Sequence, residues 1–223
     1  MSLKRMYDIV FSIVFIILTG WIMLITALII KLHRNGPVFY KAKRVGLDKK
    51  EIKVYKFRSM IANSGAVHVT TLSNDDRIYP FGRFIRKSKI DELPQLFNVF
   101  FGTMSVVGPR PEDVDVAKTT YVGKYEEIYT VKPGLTSPAS LFDYTHGEMY
   151  EDEGLYEREF LPLKLEIERY YVHNHSFFYD IKITAATAII ILQKLFGKTE
   201  FALPTEYYKL EPAVREHYEA AYK

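Results

Sequence analysis

The longest apolar stretch of the chain lies near its N-terminus. Residues Ile9–Ile30 are 22 consecutive uncharged positions, interrupted only by Ser, Thr and Gly. A straight helix of this length would be roughly 33 Å long, about the hydrocarbon thickness of a bilayer. A core helix of a soluble domain is the weaker alternative, because such helices rarely lack a charged face over this length. A cleaved signal peptide would carry a shorter apolar run. The pattern therefore predicts an uncleaved membrane anchor.

Basic residues flank both ends of this apolar stretch. Lys4 and Arg5 precede it, and Lys31 and Arg34 follow it. Because Lys and Arg accumulate on the cytoplasmic side of membrane helices, both ends are predicted to be cytoplasmic. The anchor, residues 1–34, is then a re-entrant helix that bends near Gly20 and returns to the same leaflet. A straight membrane-spanning helix is the alternative.

Shorter patterns follow the anchor. Alternating segments at Val38–Tyr40 and Ile52–Phe57, joined through Gly46–Lys49, predict a small β-hairpin. Residues 63–79 are polar and predict a loop. Apolar residues at helical spacing predict further helices in four segments: Phe81–Arg86, Thr119–Tyr129, Tyr156–Val172 and Asp180–Phe196.

These patterns predict an α+β chain that is mainly helical. The expected architecture is an N-terminal re-entrant membrane helix, a small β-hairpin and a catalytic domain at the membrane surface. Residues 35–200 form that domain, and residues 201–223 form a C-terminal tail. We assign the apolar helix Asp180–Phe196 to the core, with a position in the membrane interface as the alternative.

Composition and charge narrow the classes of function. Of 223 residues, 48% are hydrophobic and 26% charged, which excludes wholesale disorder. The absence of cysteine excludes disulfides, thiolate catalysis and zinc–thiolate sites. Ten Lys or Arg lie between Lys31 and Arg58, against two acidic residues. Beside a membrane anchor, this segment fits anionic lipid or anionic substrate better than a solvated face. Nucleic acid is not an expected partner, because the segment lacks a stacking aromatic platform.

One acidic pair is the main candidate for chemistry. Asp91 and Glu92 directly precede an amphipathic segment, Leu93–Phe100, and Pro94 fits the first turn of that helix. A carboxylate at a helix N-terminus is stabilised when ionised, so it can act as a nucleophile or metal ligand. Two carboxylates without histidine or thiol suit Mg²⁺. Helix capping without chemistry is the alternative.

Candidate phosphate-binding residues surround this pair in the sequence. Lys56 and Arg58 lie at the end of the second predicted strand and just after it, Arg86 lies just before the pair, and Arg110 stands between two prolines. The prolines restrict the backbone around Arg110, and guanidinium groups pair well with phosphate oxygens. A solvated surface is the alternative for each cation taken alone. Neither a P-loop nor a G-x-G-x-x-G fingerprint is present, so a nucleotide would not bind in those modes.

Several spaced segments together resemble the bacterial sugar transferases. The resemblance is to the small monotopic polyprenyl-phosphate phosphoglycosyl transferases that contain only a catalytic domain. The segments that carry it extend over nearly the whole chain to about residue 196: Tyr55–Met60, Ile85–Val99, Gly102–Pro111, Pro133–Thr136, Tyr170–Tyr171 and Tyr179–Ile183.

The resemblance implies a reaction and a set of roles. A phospho-sugar is expected to pass from a UDP-sugar to undecaprenyl phosphate at the cytoplasmic face of the bacterial inner membrane, with release of UMP. Asp91 would attack the β-phosphorus to form an aspartyl phospho-sugar, and Glu92 would support Mg²⁺ or the second step. The expected phosphate contacts are Arg86 and Arg110, then Lys56 and Arg58. The expected partners are the two substrates and the lipid bilayer. The resemblance leaves open whether the chain forms a homodimer. An inactive membrane-anchored scaffold for glycan assembly is the alternative.

Overall fold

A computed structural model describes residues 2–33, 36–61, 77–147 and 153–221. Helices and strands alternate in short pieces after one long N-terminal helix. In chain order they are α1 Leu3–His33, β1 Phe39–Val45, β2 Glu51–Phe57, α2 Pro80–Lys87, α3 Gln95–Phe101, β3 Ser105–Val107, α4 Val114–Thr120, β4 Gly134–Thr136, α5 Pro138–His146, α6 Glu153–Leu155, α7 Leu161–Asn174, α8 Phe177–Leu195 and α9 Pro212–Ala221. The prediction of a mainly helical α+β chain is confirmed.

Two small sheets organise the domain. Strands β1 and β2 pair antiparallel, with Phe39 opposite Phe57, which confirms the predicted hairpin. Strands β3 and β4 pair parallel, with Ser105 opposite Gly134. The parallel pair lies in the largest core cluster, where Val106 and Val107 pack with Tyr171 of α7. Residues from α1 and α8 pack against the same cluster. The core therefore joins α1 and α8 to the parallel strand pair.

Helix α1 packs against the domain along one face. Asp8 and Ser12 are buried near its start, and Met23, Thr26 and Ile30 are buried further along. These positions recur at helical spacing and so form one stripe. The opposite face carries large exposed apolar side chains: Ile17, Leu18, Trp21, Leu24 and Leu28. By length and composition α1 is a candidate membrane helix.

Polar side chains fix the start of α1 to the domain. Lys4 pairs with Asp180 of α8. Arg5 donates to the carbonyl oxygens of Val99 and Phe100, each at 2.6 Å, and so caps the end of α3. Lys4 and Arg5 therefore act as structural contacts between α1 and the rest of the protein.

The buried carboxylate of Asp8 completes this attachment. It accepts hydrogen bonds from the Ser105 hydroxyl and the Val106 amide, both at 2.9 Å. Both donors belong to β3, at the centre of the domain core. The first turns of α1 are therefore an integral part of the domain that follows them.

The backbone around Gly20 is helical. Helix α1 continues through Thr19–Trp21, where a bend was expected. The Thr19 hydroxyl donates to the Phe15 carbonyl at 2.6 Å, and the Ser12 hydroxyl donates to the Ile9 carbonyl at 2.9 Å. These bonds satisfy the hydroxyls within the helix. The re-entrant path stays a prediction, and the structure shows no interruption of the helix at that point.

Helix α8 differs from its predicted environment. The five apolar positions that suggested a core helix are all exposed: Ile181, Ala185, Ala188, Ile189 and Leu192. The assignment of these five positions to the core is therefore wrong. Asp180 and Ile183 are its buried residues, because only the face that carries them packs on the domain.

Two other segments predicted to be helical are each divided into two pieces. The helical prediction over Thr119–Tyr129 is confirmed in part: α4 ends at Thr120, and a separate 3₁₀ helix covers Gly123–Thr130. Gly123 has a φ of 61°, a left-handed conformation that breaks a regular helix. The helix predicted over Tyr156–Val172 is confirmed as a π-helical turn, Tyr156–Phe160, followed by α7. Most of the polar loop predicted over 63–79 lies outside the described residues.

Candidate active site

The acidic pair occupies a tight 3₁₀ turn, Ile90–Glu92, between α2 and α3. Lys89 begins the turn in the left-handed region, with φ 58°. Pro94 precedes the first residue of α3, where its missing N–H costs no hydrogen bond. The buried residues Leu96 and Val99 then hold α3 in the core. No carboxylate side chain caps either helical segment, so capping does not explain the pair.

Asp91 is buried, and one oxygen of its carboxyl group has no hydrogen-bond partner. The residue is 7% exposed, and the unpartnered oxygen, Oδ1, is itself buried. Burial, with the adjacent charge of Glu92, raises the pKa of Asp91 to about 6. Lys56, Lys89 and Arg86 oppose that rise. Asp91 is therefore mainly ionised at neutral pH and presents an unpaired oxygen.

Glu92 has the opposite electrostatic balance. Its Oε1 atom accepts from Lys56 Nζ and from Arg110 Nη2, each at 3.1 Å. Burial disfavours the charged form, but Lys56 and Arg110 outweigh it and hold the pKa of Glu92 well below its usual value. Adjacent carboxylates thus have different surroundings. Glu92 is fixed by cations, whereas Asp91 keeps an oxygen for another ligand.

The arginine between the prolines is held by its backbone as well as by its side chain. The Gly134 amide donates to the Pro109 carbonyl at 2.8 Å, which ties the turn to β4. A Cβ on Gly134 would collide with the Gly108 backbone, so this close approach requires glycine. The Arg110 amide donates to Glu168 Oε1 at 3.1 Å. These contacts place the guanidinium of Arg110 against Glu92.

Glu168 is a buried carboxyl that sequence reasoning missed. Its Oε1 also accepts from the Ser137 hydroxyl at 3.0 Å, and its Oε2 has no partner. Burial raises the pKa of Glu168 to about 7, despite hydrogen bonds from Arg110 and Ser137. In the sequence Glu168 looks like one more charge in an acidic run, and only the fold shows that it supports Arg110.

A second buried polar cluster lies close enough to influence Arg110 electrostatically. Lys164 Nζ is 2.9 Å from Asp143 Oδ2 and 3.1 Å from the Tyr156 hydroxyl. The Tyr156 hydroxyl donates to Asp143 Oδ1 at 3.0 Å. The charge of Asp143 favours the protonated form of Arg110. No local motif marks these residues, because they come from separate helical segments.

The remaining predicted cations divide into two groups. Arg86 lies in the last turn of α2, and its charge acts on Asp91. Arg58 is buried beside the start of the hairpin, where a Cβ on Gly36 would lie 2.6 Å from its Nη1 atom. Of the four predicted cations, Lys56, Arg86 and Arg110 act electrostatically on the acidic pair, as does the neighbouring Lys89.

The carboxylates of Asp91 and Glu92 suit a cation that takes most of its other ligands from water and substrate. In the described part of the chain, no group of three or more His, Asp or Glu side chains could hold a metal ion. The unpaired Asp91 oxygen and the adjacent Glu92 carboxylate are two hard oxygen donors. Mg²⁺ commonly binds one or two carboxylates and completes its shell with water and substrate phosphates. The site is therefore compatible with Mg²⁺ bound together with a diphosphate.

Comparison with known proteins relates this chain to one family and to several bacterial proteins. Residues 1–194 match the family described as bacterial sugar transferase. A UDP-glucose:undecaprenyl-phosphate glucose-1-phosphate transferase of Klebsiella pneumoniae is 38% identical over 191 residues, 84% of this chain and 39% of that protein. EpsL of Bacillus subtilis, an uncharacterized sugar transferase, is 37% identical over 192 residues, 86% of this chain and 88% of that protein. The exopolysaccharide production protein PSS of Rhizobium leguminosarum is 36% identical over 200 residues, 84% of this chain and 94% of that protein.

Proposed function

This chain belongs to the bacterial sugar transferase family, and on that premise we propose that it transfers a phospho-sugar from a UDP-sugar to undecaprenyl phosphate. The chain spans 39% of the length of the glucose-1-phosphate transferases it matches, so their activity comes to it only as a proposal. The observation that carries the proposal is the unequal acidic pair. Asp91 keeps an unpaired oxygen, while two cations hold Glu92.

The unequal pair suits a two-step displacement. The Asp91 oxygen attacks the β-phosphorus, the bond from that phosphorus to the bridging oxygen breaks, and UMP leaves with the electron pair. An oxygen of undecaprenyl phosphate then attacks the same phosphorus, and the bond to Asp91 breaks. Two such steps replace one difficult transfer between bulky substrates. The second step regenerates the free carboxylate of Asp91.

Charge neutralisation supplies most of the expected acceleration. Lys56 and Arg110 already surround Glu92, and Arg86 acts on Asp91. We assign these three cations to the diphosphate of the donor. Asp91 and Glu92 would hold Mg²⁺, which would neutralise diphosphate charge when bound. Glu92 itself keeps Lys56 and Arg110 oriented.

The attachment of α1 supports a topology in which both of its ends are cytoplasmic. A span that placed the N-terminus outside would separate Lys4 and Asp8 from their partners in α8 and β3. Met23 and Ile30, further along α1, pack with Phe57 and Ile85 of the same domain. Both halves of the helix thus contact one body, which suits a helix held in a single leaflet. The exposed apolar face of α1 would then face lipid.

A donor screen tests the function. Purified protein is incubated with undecaprenyl phosphate, Mg²⁺ and single UDP-sugars, and UMP is measured. We expect UMP release that depends on the acceptor for at least one donor. No UMP release across the common UDP-hexoses, from a protein that is folded by circular dichroism, would favour the inactive scaffold.

Labelling a single cysteine tests the topology, since the chain has no native cysteine. A Ser2→Cys variant should resist an impermeant maleimide in intact cells and react after the membrane is opened. Labelling in intact cells would establish the spanning form.

A further inference from the structure

Two ammonium groups from distant parts of the chain meet over one aromatic ring. Lys89 Nζ lies 4.7 Å and Lys194 Nζ lies 4.2 Å from the ring centroid of Tyr144. Lys194 also donates to the Tyr144 carbonyl oxygen. The ring attracts each cation, and the two ammonium groups lie at most about 9 Å apart. Like charges at such a separation repel each other, so an anion that contacts both groups would be favoured.

Lys89 connects this cation pair to the acidic pair. It stands two residues before Asp91, and its charge acts on both carboxylates of the pair. Its φ of 58° is a conformation that non-glycine residues rarely adopt. Such conformations tend to persist where they position a functional group. An anion held by Lys89 would therefore lie next to the reacting carboxylate.

Exposed apolar side chains border the same site. Near Lys194, the end of α8 exposes Ile189, Leu192, Leu195 and Phe196, and the last of these is 88% exposed. Helix α8 also lies beside the membrane anchor, because the Tyr7 hydroxyl of α1 donates to the Thr184 hydroxyl at 2.8 Å. Apolar surface next to an anchor is suited to lipid.

We propose that Lys89, Tyr144 and Lys194 bind the acceptor phosphate, a phosphate monoester on a polyisoprenoid tail. The tail would lie along the exposed end of α8. The inference rests on the proposed function and deepens it by separating two phosphate sites. Lys56, Arg86 and Arg110 would bind the donor diphosphate, whereas Lys89 and Lys194, beside Tyr144, would bind the acceptor phosphate.

Acceptor kinetics test this assignment. Lys194→Gln should raise the KM for undecaprenyl phosphate about tenfold or more, the effect of losing one charged contact, while the KM for the UDP-sugar stays unchanged. Lys194→Arg should restore much of the loss, because it keeps the cation. Lys198→Gln is the matched control, since Lys198 lies four residues further along and stacks on Phe201 instead. A change in the UDP-sugar KM alone, or an equal effect of both glutamine variants, would overturn the assignment.

Direct binding separates this inference from the proposed function. Native mass spectrometry in detergent compares undecaprenyl phosphate with undecaprenol. The wild type should prefer the phosphate, and Lys194→Gln should lose that preference, even if no UDP-sugar is turned over. Vesicles containing phosphatidylglycerol distinguish bulk anionic lipid from the acceptor. Lys194→Gln should sediment with them like the wild type, and a matching loss there would contradict a dedicated acceptor site.

Discussion

Replacing the buried carboxyl that supports Arg110 should change how stability depends on pH. Because burial raises the pKa of Glu168 from 4.5 to about 7, the folded protein holds a proton that the unfolded chain releases. The folded state is therefore destabilised relative to the unfolded state as pH rises from about 4.5 to about 7. Between pH 5 and pH 8 this contribution amounts to about 2.5 kcal/mol. Glu168→Gln carries no charge at any pH, and its amide oxygen can still accept from Arg110 and Ser137.

Thermal unfolding in detergent, followed by circular dichroism, measures this effect. The Tm of Glu168→Gln minus that of the wild type should increase by roughly 5–10 °C between pH 5 and pH 8. Glu166→Gln is the control on the same helix. Lys124 and Arg169 lower the pKa of Glu166 despite its partial burial, so its contribution should be nearly constant over this range. A Tm difference for Glu168→Gln that does not vary with pH would refute the reasoning.

Other changes test the site and the anchor. Arg110→Ala should lower kcat/KM for the UDP-sugar by a factor that corresponds to about 2–4 kcal/mol of transition-state stabilisation, because Glu92 and the diphosphate lose a buried cation. Arg110→Lys should recover only part of this loss, and an unchanged kcat/KM would make the turn purely structural. Excess chelator should abolish UMP release and added Mg²⁺ restore it, whereas full activity in chelator would exclude the metal. Asp8→Ala should reduce the free energy of unfolding by about 2–4 kcal/mol, because two buried donors lose their acceptor. Val10→Ala, exposed on the same helix, should not, and equal Tm values for the two variants would argue against the anchoring role of Asp8.

Local patterns in the sequence predicted much of the fold. The alternation in the hairpin and the apolar run of α1 are strong signals, because each depends on near neighbours. Pro94 likewise indicated where α3 begins. The break after α4 was missed because it depends on the backbone conformation at Gly123, within a sequence that is otherwise compatible with a helix. The exposure of α8 was missed because an apolar face gives the same pattern whether it meets protein or lipid.

The candidate site was only partly predictable for the same reason. Lys56, Arg86 and Arg110 could be proposed from charge and from neighbouring motifs. Their unequal division between Asp91 and Glu92 depends on tertiary contacts. Glu168 supports Arg110 from a different helix, 58 positions further along the chain. Contacts at such separations leave no local signal in a single sequence.

The covalent step is the central claim, and the intact mass of the protein tests it most directly. Incubated with a donor UDP-sugar and Mg²⁺ but no acceptor, the wild type should gain the mass of one sugar phosphate and release one equivalent of UMP. Asp91→Asn preserves the shape of the side chain but removes the nucleophile, so it should show neither change. Asp115→Asn, an exposed aspartate at the start of α4, should behave like the wild type. Formation of the adduct by Asp91→Asn, or UMP release by that variant at the wild-type rate, would contradict the account.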